Sequence, residues 1–231
     1  ESRASNVVWG NKATVLVGDF MLAKSLGSYR RAGARAYKIR NRRRGQAREG
    51  QVLEVMSSSN MLEVSEEVCF GIIENKTASL IESCGRVGAI LAGADDETKN
   101  ALSQYGFDIG VAFQLVDDAL DYSSTEKEFG KGVGQDLVEG KMTIPLLYSL
   151  WRSSEAEREK VSEMFFGTDE FAKDDIAFVR ELVEKYHGVD RTIETAKDFI
   201  HKARTAVSAL PDSPYKNSLI MLADYVAERK N

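Results

Sequence analysis

Three carboxylates stand close together in the run Phe113-Gln114-Leu115-Val116-Asp117-Asp118-Ala119-Leu120-Asp121. On a helix, the i, i+4 spacing sets Asp117 above Asp121, with Asp118 on the flank. Like charges at that spacing repel, so the arrangement calls for a cation to offset them. Oxygen-only ligands at a partly hydrated position suit Mg²⁺, which completes its shell with water and phosphate oxygens. A diphosphate is the natural ligand of such a centre. Taken alone, an Asp-Asp-x-x-Asp run is more often a solvated helix face than a metal site, and it is the surroundings that reverse this reading.

Those surroundings carry positive charge in a fixed order. Lys76-Thr77 lies upstream in an apolar segment, where an ammonium needs a partner. Lys131, Asp136 and Lys141 follow the aspartates across a stretch containing Gly130, Gly132 and Gly134. Each lysine alone reads as a solvated surface residue, and a glycine cluster alone reads as a plain loop. Far more specific is the whole order: Lys-Thr, then Phe-Gln-x-x-Asp-Asp-x-x-Asp, then Gly-Lys-x-x-Gly-x-Asp-Leu, then Gly-Lys-x-Thr.

Helices must position these residues. Proline occurs only three times, alanine, glutamate, lysine and leucine abound, and no alternating β-branched run appears, which predicts an all-α fold. The apolar recurrence Val64, Val68, Ile72, Leu80, Cys84, Val87 and Leu91 predicts a long helix from about Val64 to Leu91. A second should start near Asp95 to Thr98 and run to Tyr122, with Leu102, Tyr105, Ile109, Phe113, Val116 and Leu120 as its apolar stripe. Gly110, Gln114, Asp117 and Asp121 share its other face. Phe129 to Gly140 reads as a loop, and Pro145 is placed to open the next helix. Ile193 to Leu210 describes another amphipathic helix, with Asp190 as a candidate cap. An apolar segment from Asn11 to Leu26 reads as a helix as well. No repeat or linker divides the chain, so residues 1–231 are expected to form one domain.

On these motifs the sequence resembles the trans-type polyprenyl diphosphate synthases, and within them the long-chain, octaprenyl-like members. The resemblance is strongest from Glu74 to Leu147, and Gly18-Asp19-Phe20 also looks like a family segment. It implies a bundle of antiparallel helices around a central cavity, the isoprenoid synthase fold, in a homodimer. It also implies Mg²⁺ held by Asp117, Asp118 and Asp121, with Asp136 as an additional acidic residue near the metal. Lys76, Thr77, Gln114, Lys131 and Lys141 would contact diphosphate oxygens, and Lys76, Gln114, Asp117, Asp118 and Lys131 would serve catalysis. The implied reaction joins isopentenyl diphosphate to an allylic diphosphate, with the released diphosphate taking the final proton. No histidine is nominated, and His187 and His201 read as structural or solvated.

The family carries two aspartate-rich motifs facing each other, and only the second stands in this sequence. Glu1-Ser2-Arg3 looks like the residues that follow the first, so the N-terminal part is expected to be missing. A non-catalytic partner subunit and a terpene cyclase of the same fold are the alternatives. Between Arg30 and Arg48 there are nine basic residues and no acidic one. Removing those nine charges from the formal net of −5 leaves −14 on the rest. No aromatic interleaving or nucleic-acid motif accompanies this stretch, so no nucleic-acid partner is expected. Cys69 and Cys84 lack any metal-ligand spacing and read as small core residues, which suits a reducing cytoplasm. No apolar run approaches the roughly 20 residues that span a bilayer. A soluble cytoplasmic protein is expected, with peripheral membrane contact through an apolar product.

Overall fold

The computed structural model describes residues 65–123, 134–167 and 172–229, together with the isolated residue 17. The helix expected over Asn11 to Leu26, the basic stretch Arg30 to Arg48, and Lys131 lie outside the described residues. What is described is helical, in accord with the all-α expectation.

The first long helix has three parts. Helix α1 (Glu66–Ile73) begins where Ser65 Oγ accepts the Val68 N–H at 3.4 Å. A π-helical turn (Glu74–Ala78) follows, and α2 (Ser79–Leu91) completes the rod. An i→i+5 turn carries one residue more than the α-helical period allows, so it rotates the side-chain phase between α1 and α2. This overturns most of the expected apolar stripe, of which Val87 is buried as expected. Val68, Leu80, Cys84 and Leu91 are exposed, whereas Cys69, Ile73, Ala78, Ser83, Val87 and Ala89 are buried. The small residues face inward because the neighbouring helix comes very close.

That neighbour is α3 (Asp96–Ser123), whose Asp95 cap accepts the Thr98 N–H at 2.8 Å. A Cβ at Gly106 would meet Glu82 Cα at 2.9 Å, and one at Gly85 would run into the Leu102 carbonyl. Glycine at these crossings is therefore what lets α2 and α3 approach. Tyr105, Ile109 and Val116 of the expected α3 stripe are buried, but Phe113 is exposed.

After α3 comes the short helix α4 (Gln135–Val138), entered through Gly134 at φ 83°. A helical turn thus interrupts the loop expected from Phe129 to Gly140. Helix α5 (Ile144–Leu150) is buried along its whole length and takes Pro145 in its first turn, where a missing N–H costs nothing. Helices α6 (Glu155–Gly167) and α7 (Lys173–Lys185) lead to α8 (Gly188–Ala206). The α8 cap is His187, in a left-handed conformation at φ 56°. Asp190 was the expected cap. It lies in the first turn instead, 3.1 Å from His187 Nδ1. Helix α9 (Pro214–Glu228) starts at Ser213, whose Oγ accepts the Lys216 N–H.

Helix α3 is the axis of the bundle, with α2 and α8 as its main neighbours. One core cluster joins Cys69, Ile73, Val111, Leu115, Ile144 and Tyr148. A second joins Tyr105, Ile109, Ile200 and Val207 to α9 through Ala223 and Val226. Leu115 has no exposed surface, and burial of such a side chain contributes about 1.5–3 kcal/mol. These two clusters hold α3 against α1, α5, α8 and α9, and so fix the direction in which its carboxylates point.

Candidate diphosphate and metal site

The C-terminal half of α3, the π-turn and the segment leading into α5 surround a cavity of about 250 Å³. Lys76, Gln114, Asp117, Asp118, Asp136 and Lys141 line its polar side. Cys69, Ile72, Ile73, Met142 and Ile144 supply the apolar wall. Six positions singled out from the sequence therefore meet at one space, although the π-turn, α3, α4 and the segment after α4 supply them separately.

Asp118 is the deepest of the carboxylates, only 5% exposed, while the side chain of Asp117 is half exposed. The carboxylate on the flank of the Asp117–Asp121 pair is thus the deepest of the three. The π-turn and the close approach of Ala78 to Gly110 bring the wall over Asp118. Gln114 Nε2 donates to Asp118 Oδ1 at 2.8 Å, and Thr77 Oγ1 donates to Gln114 Oε1 at 3.0 Å. The relay fixes the amide orientation, because a Gln carbonyl that accepts from Thr77 must turn its NH₂ toward Asp118. Thr77 is thus engaged with Gln114. It does not line the cavity.

Asp121 is engaged elsewhere. Its Oδ1 accepts the Gln135 N–H and its Oδ2 the Asp136 N–H, both at 3.1 Å, so it caps the first turn of α4 from a distance. Lys141 Nζ bridges Asp136 at 3.2 Å and Glu139 at 2.5 Å.

Burial, together with the charges of Asp136 and Asp117, pushes the Asp118 carboxyl up to about 8, against the opposing pull of its Gln114 bond and Lys76. Asp121 is raised for the same reason, burial first and then Asp136. Burial lowers the Lys141 ammonium, but Glu139 and Asp136 outweigh it and the net shift is upward. Cys69 is raised to about 12 by burial and then by Asp118 and Glu66, so it stays a neutral thiol wall.

A divalent cation fits this chemistry. The donors are all oxygen, the deepest carboxylate is forced toward protonation without a countercharge, and each carboxylate keeps free lone pairs beyond its present bonds. Among the described residues no three acidic side chains already converge at metal-ligand geometry, since Asp121 is turned toward α4. Also among them, no helix is long and apolar enough to cross a membrane.

Residues 1–183 match the sequence model of the polyprenyl synthetase family. This chain belongs to the polyprenyl synthetase family. The short chain isoprenyl diphosphate synthase of Methanothermobacter thermautotrophicus is 34% identical over 233 residues, covering 99% of this chain and 70% of the relative. The octaprenyl diphosphate synthase of Haemophilus influenzae is 34% identical over 226 residues, covering 97% and 68%. The crystal structure of a polyprenyl synthase from Caulobacter crescentus, complexed with calcium and isoprenyl diphosphate, superposes with a TM-score of 0.87 at 36% identity. It covers 99% of this chain and 69% of that one. As a polyprenyl synthetase with the isoprenoid synthase fold, the protein is a prenyltransferase.

Two features escaped the sequence reading. The π-turn that carries Lys76 and Thr77 shows no compositional mark beyond a polar interruption, Glu74-Asn75-Lys76-Thr77, in an apolar helix. Arg229, which places its guanidinium 3.2 Å from Asp117, is remote in sequence and belongs to no motif.

Proposed function

We propose that the cavity is where an allylic diphosphate ionises and is lengthened by isopentenyl diphosphate, giving a longer trans-polyprenyl diphosphate for isoprenoid or quinone side-chain synthesis. The observation that carries this reading is the meeting of Asp117, Asp118, Lys76, Gln114, Asp136 and Lys141 around one space. Asp117, Asp118 and Asp121 would hold Mg²⁺, which supplies countercharge for the departing diphosphate.

The chain's own groups do the rest. Gln114, oriented by Thr77, keeps Asp118 aimed into the cavity. Lys76 and Lys141 present point charges to diphosphate oxygens, and Lys131 joins them by the family resemblance. The allylic C–O bond breaks with its electron pair leaving on diphosphate oxygen. The isopentenyl double bond supplies the electrons of the new C–C bond, and the proton lost from the adduct goes to the released diphosphate. Ile72, Ile73, Met142 and Ile144 keep water from the carbocation. His187 and His201 are exposed and line no part of this cavity. The working protein is read as a cytoplasmic homodimer that meets membranes through its apolar product.

The test is incorporation of labelled isopentenyl diphosphate into apolar product, with and without Mg²⁺. Asp117→Ala leaves a helix-favouring residue, so circular dichroism should be unchanged while turnover falls on the order of a hundredfold or more. Unchanged turnover, or full activity under chelation, would sink the metal-diphosphate reading and favour a solvated carboxylate face, whereas wild type without turnover would favour a non-catalytic partner subunit.

A further inference from the structure

Helix α9 ends at Glu228, and the backbone of Arg229 leaves the helical conformation at ψ 105°. Its guanidinium crosses to α3, where Nη1 lies 3.2 Å from Asp117 Oδ1. The guanidinium carbon stands 4.9 Å from the centre of the Phe113 ring. Phe113 and Asp117 are i and i+4 on α3, so one arginine covers both, stacking on the ring and neutralising the carboxylate. The fit is incomplete as a hydrogen bond. Nη1 is buried and finds no aligned acceptor, so this nitrogen meets Asp117 by proximity alone.

We propose that Arg229 is the resident countercharge of Asp117, which a divalent cation must displace, so that loading the site releases the C-terminal end of α9. This rests on the reading of Asp117 as a metal ligand. A guanidinium keeps its charge at every accessible pH, so it competes with a metal for the same oxygen without any proton change. A double charge at ligand distance outweighs a single charge whose nearest nitrogen makes no aligned hydrogen bond. Arg229 acts through Asp117 and is therefore a positioning residue. In the absence of metal it keeps that carboxylate from repelling its neighbours and holds α9 against α3.

The experiment uses Mn²⁺ alone as the probe, without substrate, counting free Mn²⁺ by electron paramagnetic resonance in wild type, Arg229→Gln and Arg229→Lys. Removing the competitor of a half-exposed carboxylate should tighten Mn²⁺ binding about two- to fivefold in Arg229→Gln. Arg229→Lys, which keeps the charge, should stay near wild type. In parallel, amide hydrogen exchange of residues 224–229 should speed up when Mn²⁺ is added to wild type. In Arg229→Gln it should be fast from the start. Equal or weaker Mn²⁺ binding in Arg229→Gln, or exchange in wild type that ignores the metal, overturns the latch. If wild type binds no Mn²⁺ at all, the metal reading of Asp117 falls with it, and the two failures are thereby distinguished.

Discussion

Gly110 lies directly against Ala78, so close that a Cβ on Gly110 would stand 2.5 Å from Ala78 Cα. This contact joins the aspartate helix to the π-turn and sets how far Lys76 and Thr77 stand from Gln114 and Asp118. Gly110→Ala must push the two backbones apart, and overpacking of this kind costs typically 1–3 kcal/mol. Urea unfolding should show that loss. Turnover should fall further than the loss of folded protein explains, because the displaced element carries Lys76. Wild-type turnover per folded molecule in this variant would mean that the spacing does not matter for chemistry.

The Thr77 to Gln114 to Asp118 relay gives a second expectation. Thr77→Val removes the donor that orients the Gln114 amide, at a cost of about 0.5–1.5 kcal/mol in net hydrogen-bond energy. Gln114 is then free to flip and present its carbonyl to Asp118. Thr77→Ser should behave as wild type, and Thr77→Val should lose roughly three- to tenfold in kcat/KM. Equal values in the two variants would show that Thr77 acts by packing alone.

How much of this was legible in the sequence depends on what each residue had to do locally. The span of α3 was readable because Asp95 caps one end and the apolar period runs to Tyr122. The burial pattern of α1 and α2 was not. A π-turn shifts the phase by a fraction of a turn, and the inward positions are small residues, Ala78, Ser79 and Ser83, that periodicity does not weight. Helix α9 carries little periodic signal because its large apolar residues, Tyr215, Met221, Leu222 and Tyr225, are exposed and only Ala223 and Val226 are buried. In the site, the motif located Asp117, Asp118 and Asp121 but not their unequal depths, which depend on which wall closes over each one. The engagement of Asp121 with the α4 N-terminus needed a helix that a glycine-rich stretch did not announce.

The depth of Asp118 leads to a pH dependence whose sign follows from its raised carboxyl, up to about 8 from an ordinary 3.8. Without metal, the folded protein keeps a proton on Asp118 between those values, while the unfolded chain has released it. The stability this group contributes is therefore complete below about pH 4 and is lost as pH rises toward 8. Metal-free wild type should melt at progressively lower temperature from pH 5 to 8. Asp118→Asn, which has no proton to lose, should lack that component of the slope. Mg²⁺ has the opposite requirement, because it needs the carboxylate and must expel the proton. Its affinity should rise by up to about tenfold per pH unit below 8 and level off above. Titration calorimetry in two buffers of different ionisation enthalpy counts the released protons directly. Close to one proton per Mg²⁺ near pH 6.5 is expected. Zero protons released there, with binding intact, would show that Asp118 is already ionised in the folded protein and that the neighbouring Lys76 outweighs its burial.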